Sequence, residues 1–285
     1  MQLDDLRQRM REFYRSSTAY QCQLAGHEVE SSAYYVNWVT GFIPANSLIL
    51  DLGCGTGLST HFLRETGHVA VGADLSELFI ETHRARGMER FVAADALDLP
   101  FASGVFDAVA SAALIEHLPD VAQALGEMLR VLKPDGLLLI LAPNHCSLTM
   151  PVDDLFNLMG GGTGRPYFAE TPGQAVHWLV QNLRLNVTKM LTREVDFHYV
   201  EPNLTVGSGG DHDMVYYASP IDLRRFLHRQ GATIVSWSGV KSKPLVVNGS
   251  LALRGSGIRQ QVMQSLLWPF AGMTFVVARK TGASV

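Results

Sequence analysis

An apolar run, Ser47-Leu48-Ile49-Leu50, passes through Asp51 into a turn with glycine at every second position, Gly53, Gly55 and Gly57, before a helix-forming stretch opens at Leu58. A short buried strand, a glycine turn and a helix in that order restrict the fold more than any other feature of the chain. Such a turn carries backbone close to something that a side chain would obstruct. The helix that follows points free N–H groups and partial positive charge at the same turn, which suits an anionic or strongly polar ligand. A dinucleotide fingerprint would place its third glycine three residues after the second; here Gly57 follows Gly55 by two and position 58 is Leu, so that pattern is not met.

Similar units follow. Val69 to Asp74 reads as a second strand ending in an acid, with Leu75-Ser76 behind it. A carboxylate there offers two oxygens side by side to a pair of hydroxyls, and it can equally cap the next helix. Phe91-Val92-Ala93-Ala94-Asp95-Ala96 is a third apolar segment, in which Asp95 can also simply end a strand. Phe106 to Ala112 reads as a fourth strand leading into Ala113-Leu114-Ile115-Glu116-His117. After a helix, Lys133-Pro134-Asp135-Gly136 reads as a turn and Leu137 to Leu141 as a fifth strand. Alternating strands and helices imply a parallel sheet with helices on both faces, and ligands of such sheets bind beyond the carboxyl ends of the strands. Asp51, Asp74 and Asp95 all fall at such ends.

Taken in order, the segments 50–57, 69–76, 91–101, 106–120 and 131–141 resemble the class I S-adenosylmethionine-dependent methyltransferases of type 11, the group that includes ubiquinone and menaquinone biosynthesis-like enzymes. The resemblance implies an α/β, Rossmann-like fold. Its seven-stranded mixed sheet would have the order 3-2-1-4-5-7-6, with the last strand antiparallel between the fifth and sixth, helices on both faces and an inserted acceptor cap. It also implies S-adenosylmethionine as cofactor, released as S-adenosylhomocysteine. Asp51 with Gly53, Gly55 and Gly57 would hold its methionine part, Asp74 the ribose hydroxyls and Asp95 the adenine amine. Ala96 would give a backbone N–H to the ring, and Leu75 and Ala112 complete the cofactor-binding set.

Transfer of a sulfonium methyl is an in-line displacement in which alignment and exclusion of water supply much of the catalysis. A base is needed only where the acceptor must lose a proton. His117, in the loop after the fourth strand, is the best-placed base, its ordinary pKa being about 6.5; a His at this place also serves packing or cofactor shaping in the family. Glu116-His117 resembles the end of the Glu-x-x-Glu-His run of quinone-biosynthetic O-methyltransferases, which is linked to a divalent metal, but Ala113 replaces its first acid and no metal is expected. Asp211 and Asp213 flank His212 and are candidates for acceptor binding or proton transfer, or else cap a turn.

Length and composition bound the rest. A chain of 285 residues, 47% hydrophobic and 18% charged, suits one globular domain or one domain carrying an insertion. A formal net charge of −4 disfavours a nucleic-acid partner. The opening residues lack a signal-peptide core, no run reaches membrane-span length, and the three cysteines, at 22, 54 and 146, are too far apart for a disulfide framework or a zinc knuckle, so a cytoplasmic location is expected. Residues 1–45 read as a helical cover and 46–285 as the methyltransferase domain. Within it, 145–218 is an acceptor-binding insertion or, alternatively, a surface decoration or homodimer contact.

Two helices are expected in that insertion, near 152–159 and 173–185. A helix from Pro220, a strand over 232–240, a helix over 258–268 and a strand over 273–279 follow. Trp178, Phe197, Tyr199 and Trp237 are candidate linings of a partly apolar acceptor pocket, with His145 and Cys146 near it; of Tyr216 and Tyr217, one should face in and one out. The activity expected is methylation of a small molecule at oxygen or nitrogen rather than carbon. The alternatives are a protein that binds the cofactor without transfer, or an aminopropyl transferase on the same scaffold.

Overall fold

The computed structural model describes residues 3–16, 29–161, 166, 169–204, 213–240 and 272–282. Two helices, α1 (Leu3–Ser16) and α2 (Val29–Thr40), precede the sheet. Then come β1 (Leu48–Leu52), α3 (Leu58–Glu65), β2 (Val69–Asp74), α4 (Glu77–Ala85), β3 (Phe91–Ala93) and β4 (Phe106–Ala112). A single 3-10 turn at Ile115–His117 leads to α5 (Val121–Val131) and β5 (Leu132–Pro143). The later elements are α6 (Thr149–Leu158), α7 (Pro172–Leu191), α8 (Pro220–Arg229), β6 (Ala232–Val240) and β7 (Met273–Lys280). The strands form one sheet of order β3-β2-β1-β4-β5-β7-β6. The first five run parallel, and β7 lies antiparallel to both β5 and β6. This is the mixed seven-stranded sheet expected.

Both faces of the sheet are covered because its central strands are apolar on both sides. Leu50, Leu52, Val109, Leu138 and Ile140 face one core with Leu125 and Met128 of α5 and Leu223 and Leu227 of α8. The intervening residues Ile49, Ala108, Ala110, Leu137 and Leu139 face another, with Tyr35, Val36 and Val39 of α2 and Leu63 of α3. That two-residue alternation of direction along uninterrupted apolar strands marks a sheet buried on both sides.

Several boundaries differ from the sequence reading. The Lys133-Pro134-Asp135-Gly136 segment does not precede β5 as a turn but lies inside the strand as an irregularity: Phe106 pairs with Leu132 and Ala108 with Leu137. Lys133 Nζ reaches Asp107 Oδ1 at 2.7 Å, Leu48 N donates to Asp107 Oδ2 at 2.8 Å, and Asp135 takes the positive φ (63°) that the bulge requires. The second helix of the 145–218 stretch extends to Leu191, six residues beyond expectation. The helix expected over 258–268 lies outside the described residues.

Candidate functional site

The glycine turn is held against the end of β2: Gly53 N and Cys54 N both donate to Ala73 O, at 2.8 and 3.1 Å, and Gly57 N donates to Cys54 O at 2.8 Å. Gly53, Gly55 and Gly57 have φ of 74°, 48° and 74°, a region that other residues enter only under strain. At Gly57 space is exhausted as well, since a Cβ would lie 2.8 Å from the His83 ring and 2.9 Å from Phe91. His83 Nε2 sits 3.0 Å from Gly55 O, and burial pushes this histidine below its ordinary pKa, so the neutral ring donates to that carbonyl.

The expected cofactor acids occupy different settings. Asp51 is 2% exposed, and its carboxylate accepts from Tyr35 Oη at 3.1 Å, Ser59 Oγ at 2.7 Å and Thr60 Oγ1 at 2.6 Å. Burial holds its pKa above the ordinary carboxylate value, while the three hydroxyls oppose that rise. It therefore ties β1 to α2 and α3 beneath the turn. Asp74, at the end of β2, accepts from Gly55 N through Oδ2 and from Ser76 N through Oδ1, each at 2.8 Å. Burial raises its pKa too, against those backbone donors. Each oxygen keeps a second lone-pair site. Asp95 accepts from Leu97 N at 2.9 Å and pairs with Arg11 of α1 at 2.6 Å. Ala96 beside it is buried, and Ala112 closes β4 opposite Leu141.

α1 roofs this edge of the sheet. Leu6, Met10 and Tyr14 pack with Val215, and Leu75 and Leu204 join them. Four arginines of the helix reach four separate stretches of chain: Arg7 pairs with Asp120, Arg9 with Glu201, Arg11 with Asp95 and Arg15 with Glu77. Tyr14 Oη donates to Asp213 Oδ2 at 2.6 Å; the same oxygen lies 3.6 Å from His117 Nδ1, and the Tyr14 and His117 rings meet edge-on at 6.0 Å. Buried Glu116 adjoins His117, with 3.9 Å between Oε1 and Nε2. Its backbone carbonyl accepts from Val215 N and Tyr216 N, which ties this loop to the far end of the 145–218 stretch. Ala113 in the same loop has φ 49° although it is not glycine, a strain of about 1 kcal/mol.

His117 and Asp213, far apart in the chain, thus meet, while Asp211 lies outside the described residues. Tyr14 and Arg11 were not identified as site residues. The signal available was the four-residue spacing of Arg7, Arg11 and Arg15 on one helix face. Among the described residues no group of three or more His, Cys, Asp or Glu is placed to hold a metal. The four aromatic residues expected to line an acceptor pocket have these settings. Phe197, Tyr199 and Trp237 pack against the main core, and Trp178 is buried on α7. Phe197 meets Tyr216 edge-on at 5.4 Å, and Tyr199 Oη accepts from Val121 N at 3.0 Å. Tyr216 is fully buried, whereas half-buried Tyr217 faces the rings of His145 and His198 at 5.9 and 5.7 Å.

The sheet order, the glycine turn after β1 and the acid after β2 define the class I methyltransferase fold. The family model described as a methyltransferase domain matches residues 50–140, and that segment belongs to the class I S-adenosylmethionine-dependent methyltransferases. Similar curated proteins include the demethylmenaquinone methyltransferase of Thermus thermophilus, 46% identical over 100 residues (33% of this chain, 46% of that protein). The demethylmenaquinone methyltransferase of Thermobifida fusca is 37% identical over 133 residues (44% and 55%). The matches thus span about half the length of these curated relatives. Among solved structures, an S-adenosylmethionine-dependent methyltransferase from Mesorhizobium loti has a TM-score of 0.53 at 17% identity, covering 88% of this chain and 100% of that one. A chain of the Haloferax volcanii complex between the Trm112 methyltransferase activator and a methyltransferase reaches 0.55 at 14% identity, covering 96% and 98%. These two likenesses concern the fold. No helix among the described residues is long and apolar enough to cross a membrane.

Proposed function

We propose that the protein transfers a methyl group from S-adenosylmethionine to a small-molecule acceptor, at oxygen or nitrogen rather than carbon. The observation that carries this reading is the Asp74 carboxylate, fixed by N–H groups of Gly55 and Ser76 at the mouth of a turn stripped of side chains. A carboxylate so oriented suits the paired hydroxyls of a ribose. By the resemblance, the glycine turn would hold the methionine part, and Asp95 with Ala96 would meet the adenine. When bound, the cofactor supplies a methyl group activated by its sulfonium.

The chain's own residues would orient the acceptor, exclude water and take up a proton. His117 is the proposed base: a proton on its ring brings a positive charge that faces Asp213, while Tyr14 holds that carboxylate in place. Residues 145–218 are the proposed acceptor cap, because their end at 213–218 supplies Asp213 and is bonded to the loop that carries His117. A small acceptor fits both the relatives' named demethylmenaquinone activity and the net charge of −4. The Cys54 and Cys146 thiols are both buried, and burial pushes Cys146 up to about 12.

Purified protein incubated with methyl-labelled cofactor and a panel of phenols, amines, quinols and sugar derivatives, beside a cofactor titration, tests the reading. Label transfer is expected. Tight binding without transfer across the panel would make this a cofactor-binding protein, and no binding at all would end the assignment. Asp74→Ala should weaken cofactor binding by about 1–3 kcal/mol through lost charge-assisted hydrogen bonds. An unchanged affinity would remove Asp74 from the site.

A further inference from the structure

α7 is built inside out. Its inward stripe is Ala175, Trp178, Asn182, Asn186 and Lys189, all buried. The nitrogens of its polar members donate to backbone carbonyls and to an acid, while the Asn182 and Asn186 amide oxygens are buried without a hydrogen-bond partner among the described residues. Asn182 Nδ2 donates to His145 O at 2.9 Å and Ser147 O at 2.6 Å, Asn186 Nδ2 to Cys146 O at 2.7 Å, and Lys189 Nζ to Asp196 O at 2.7 Å and to Asp222. The outward stripe is Val176, Val180, Leu183, Val187 and Met190, with Leu191 beside its end. Leu183 is 52% exposed, Met190 64% and Leu191 81%. Packed against α7, helix α6 leaves Val152 and Phe156 exposed, with Met159 just past its end exposed as well. A surface helix normally presents the reverse polarity.

We infer that this surface joins two copies of the chain, with α7 of one lying antiparallel to α7 of the other about a two-fold axis through the middle of the helix. The outward residues recur at intervals of four, three, four and three, the spacing that keeps one apolar seam facing a partner helix along its whole length. The seam is complementary to itself when reversed. Its first half carries the small, stiff Val176 and Val180 and its second half ends in the large, flexible Met190 and Leu191, so the slim end of one copy meets the bulky end of the other. The exposed seam runs from Val176 to Met190, about four turns of the 20-residue helix, with no polar residue interrupting it. A bilayer is the less suited occupant: Arg184 is the one lysine or arginine exposed on either helix, whereas helices that lie on membranes carry basic residues beside their apolar face. The inference does not depend on the proposed methyl transfer.

Sedimentation velocity of the full chain over roughly 1–50 µM should show a dimer, with a melting temperature that rises with protein concentration. The double variant Leu183→Glu, Val187→Glu should retain its far-ultraviolet circular dichroism while the dimer dissociation constant rises by about 100-fold or more. A monomer throughout the range with a concentration-independent melt, or a dimer untouched by the double variant, would overturn the inference. Flotation of a monomeric wild type with phosphatidylcholine vesicles would overturn it in favour of a lipid surface.

Discussion

Gly57 and Gly72 show how little room the turn has. A Cβ at Gly72 would stand 2.6 Å from Phe91 and 2.9 Å from Thr60 Oγ1, the hydroxyl that holds Asp51, and a Cβ at Gly57 meets the same ring from the other side. Gly57 bears the further burden of a φ of 74°. Gly57→Ala should therefore cost about 2–4 kcal/mol of stability, from overpacking and backbone strain together. Thermal or urea unfolding measures it, and a wild-type midpoint would show that Phe91 gives way freely. In the loop after β4, His117→Asn should lower kcat by about 10²–10⁴-fold while leaving cofactor affinity nearly unchanged, as loss of a general base does. Full turnover in that variant would dismiss the proposed base. Tyr14→Phe keeps the ring that packs with Val215 but frees Asp213, so its effect on kcat should be smaller, about 10-fold, with the loss greatest for acceptors of high pKa.

Among the elements, α5 acts as a clamp on the chain that leaves β3. Gln123 Nε2 donates to Leu97 O, Glu127 Oε2 accepts from Leu99 N, and Arg130 donates to Leu99 O, Phe101 O and the Glu127 carboxylate. The Arg130 hydrogen bonds hold the Glu127 pKa below its ordinary value. Its contribution to stability is therefore full above the unfolded pKa of about 4.3 and is lost as pH falls through the lower folded value. Glu127→Gln should cost about 1–2 kcal/mol at pH 7 and converge on the wild type as pH falls through the lowered folded-state pKa. Parallel melting curves across pH check this, and a constant difference would show that ionisation is not involved.

Which of these elements could be read from the sequence depended on where their signals lay. The strands were legible because an uninterrupted apolar run such as Leu137 to Ile140 needs no partner to be recognised. The true start of β5 was not, since Pro134-Asp135-Gly136 is turn chemistry that Asp107, on the neighbouring strand, draws into the sheet. α7 was cut short at Leu185 because its next inward residues, Asn186 and Lys189, are polar and break the apolar period that marks a buried face. In the site, the glycine turn and the acid at the end of β2 are legible because each is a short pattern in contiguous sequence. Tyr14 with Asp213, and Arg11 with Asp95, are brought together only by the closing of α1 over the sheet.

For the molecule as a whole, α1 is fastened both by the buried side chains of Leu6, Met10 and Tyr14 and by charge. Its arginines bind acids on α4, after β3, before α5 and in the 192–204 segment, and these pairs are largely solvent-accessible. Exposed pairs contribute up to about 1 kcal/mol each and weaken as salt rises. Raising ionic strength, or replacing Arg11 and Arg15 by Gln, should speed cofactor dissociation by about 3–10-fold in a stopped-flow displacement experiment. A rate insensitive to both would mean that the apolar contacts of Leu6 and Met10 alone hold the cover.

The placement of β7 has a consequence for how the molecule is made. Residues 273–280 follow every other described strand, yet they fill the gap between β5 and β6, and among the described strands β6 pairs with β7 alone. During synthesis the parallel half of the sheet can assemble early, but it carries an open apolar edge at Leu137 to Leu141 until that last strand arrives. A ribosome stalled before Met273 would leave one edge of β5 unpaired and β6 with nothing to join. Such nascent chains are the ones a cell must shield with chaperones or destroy.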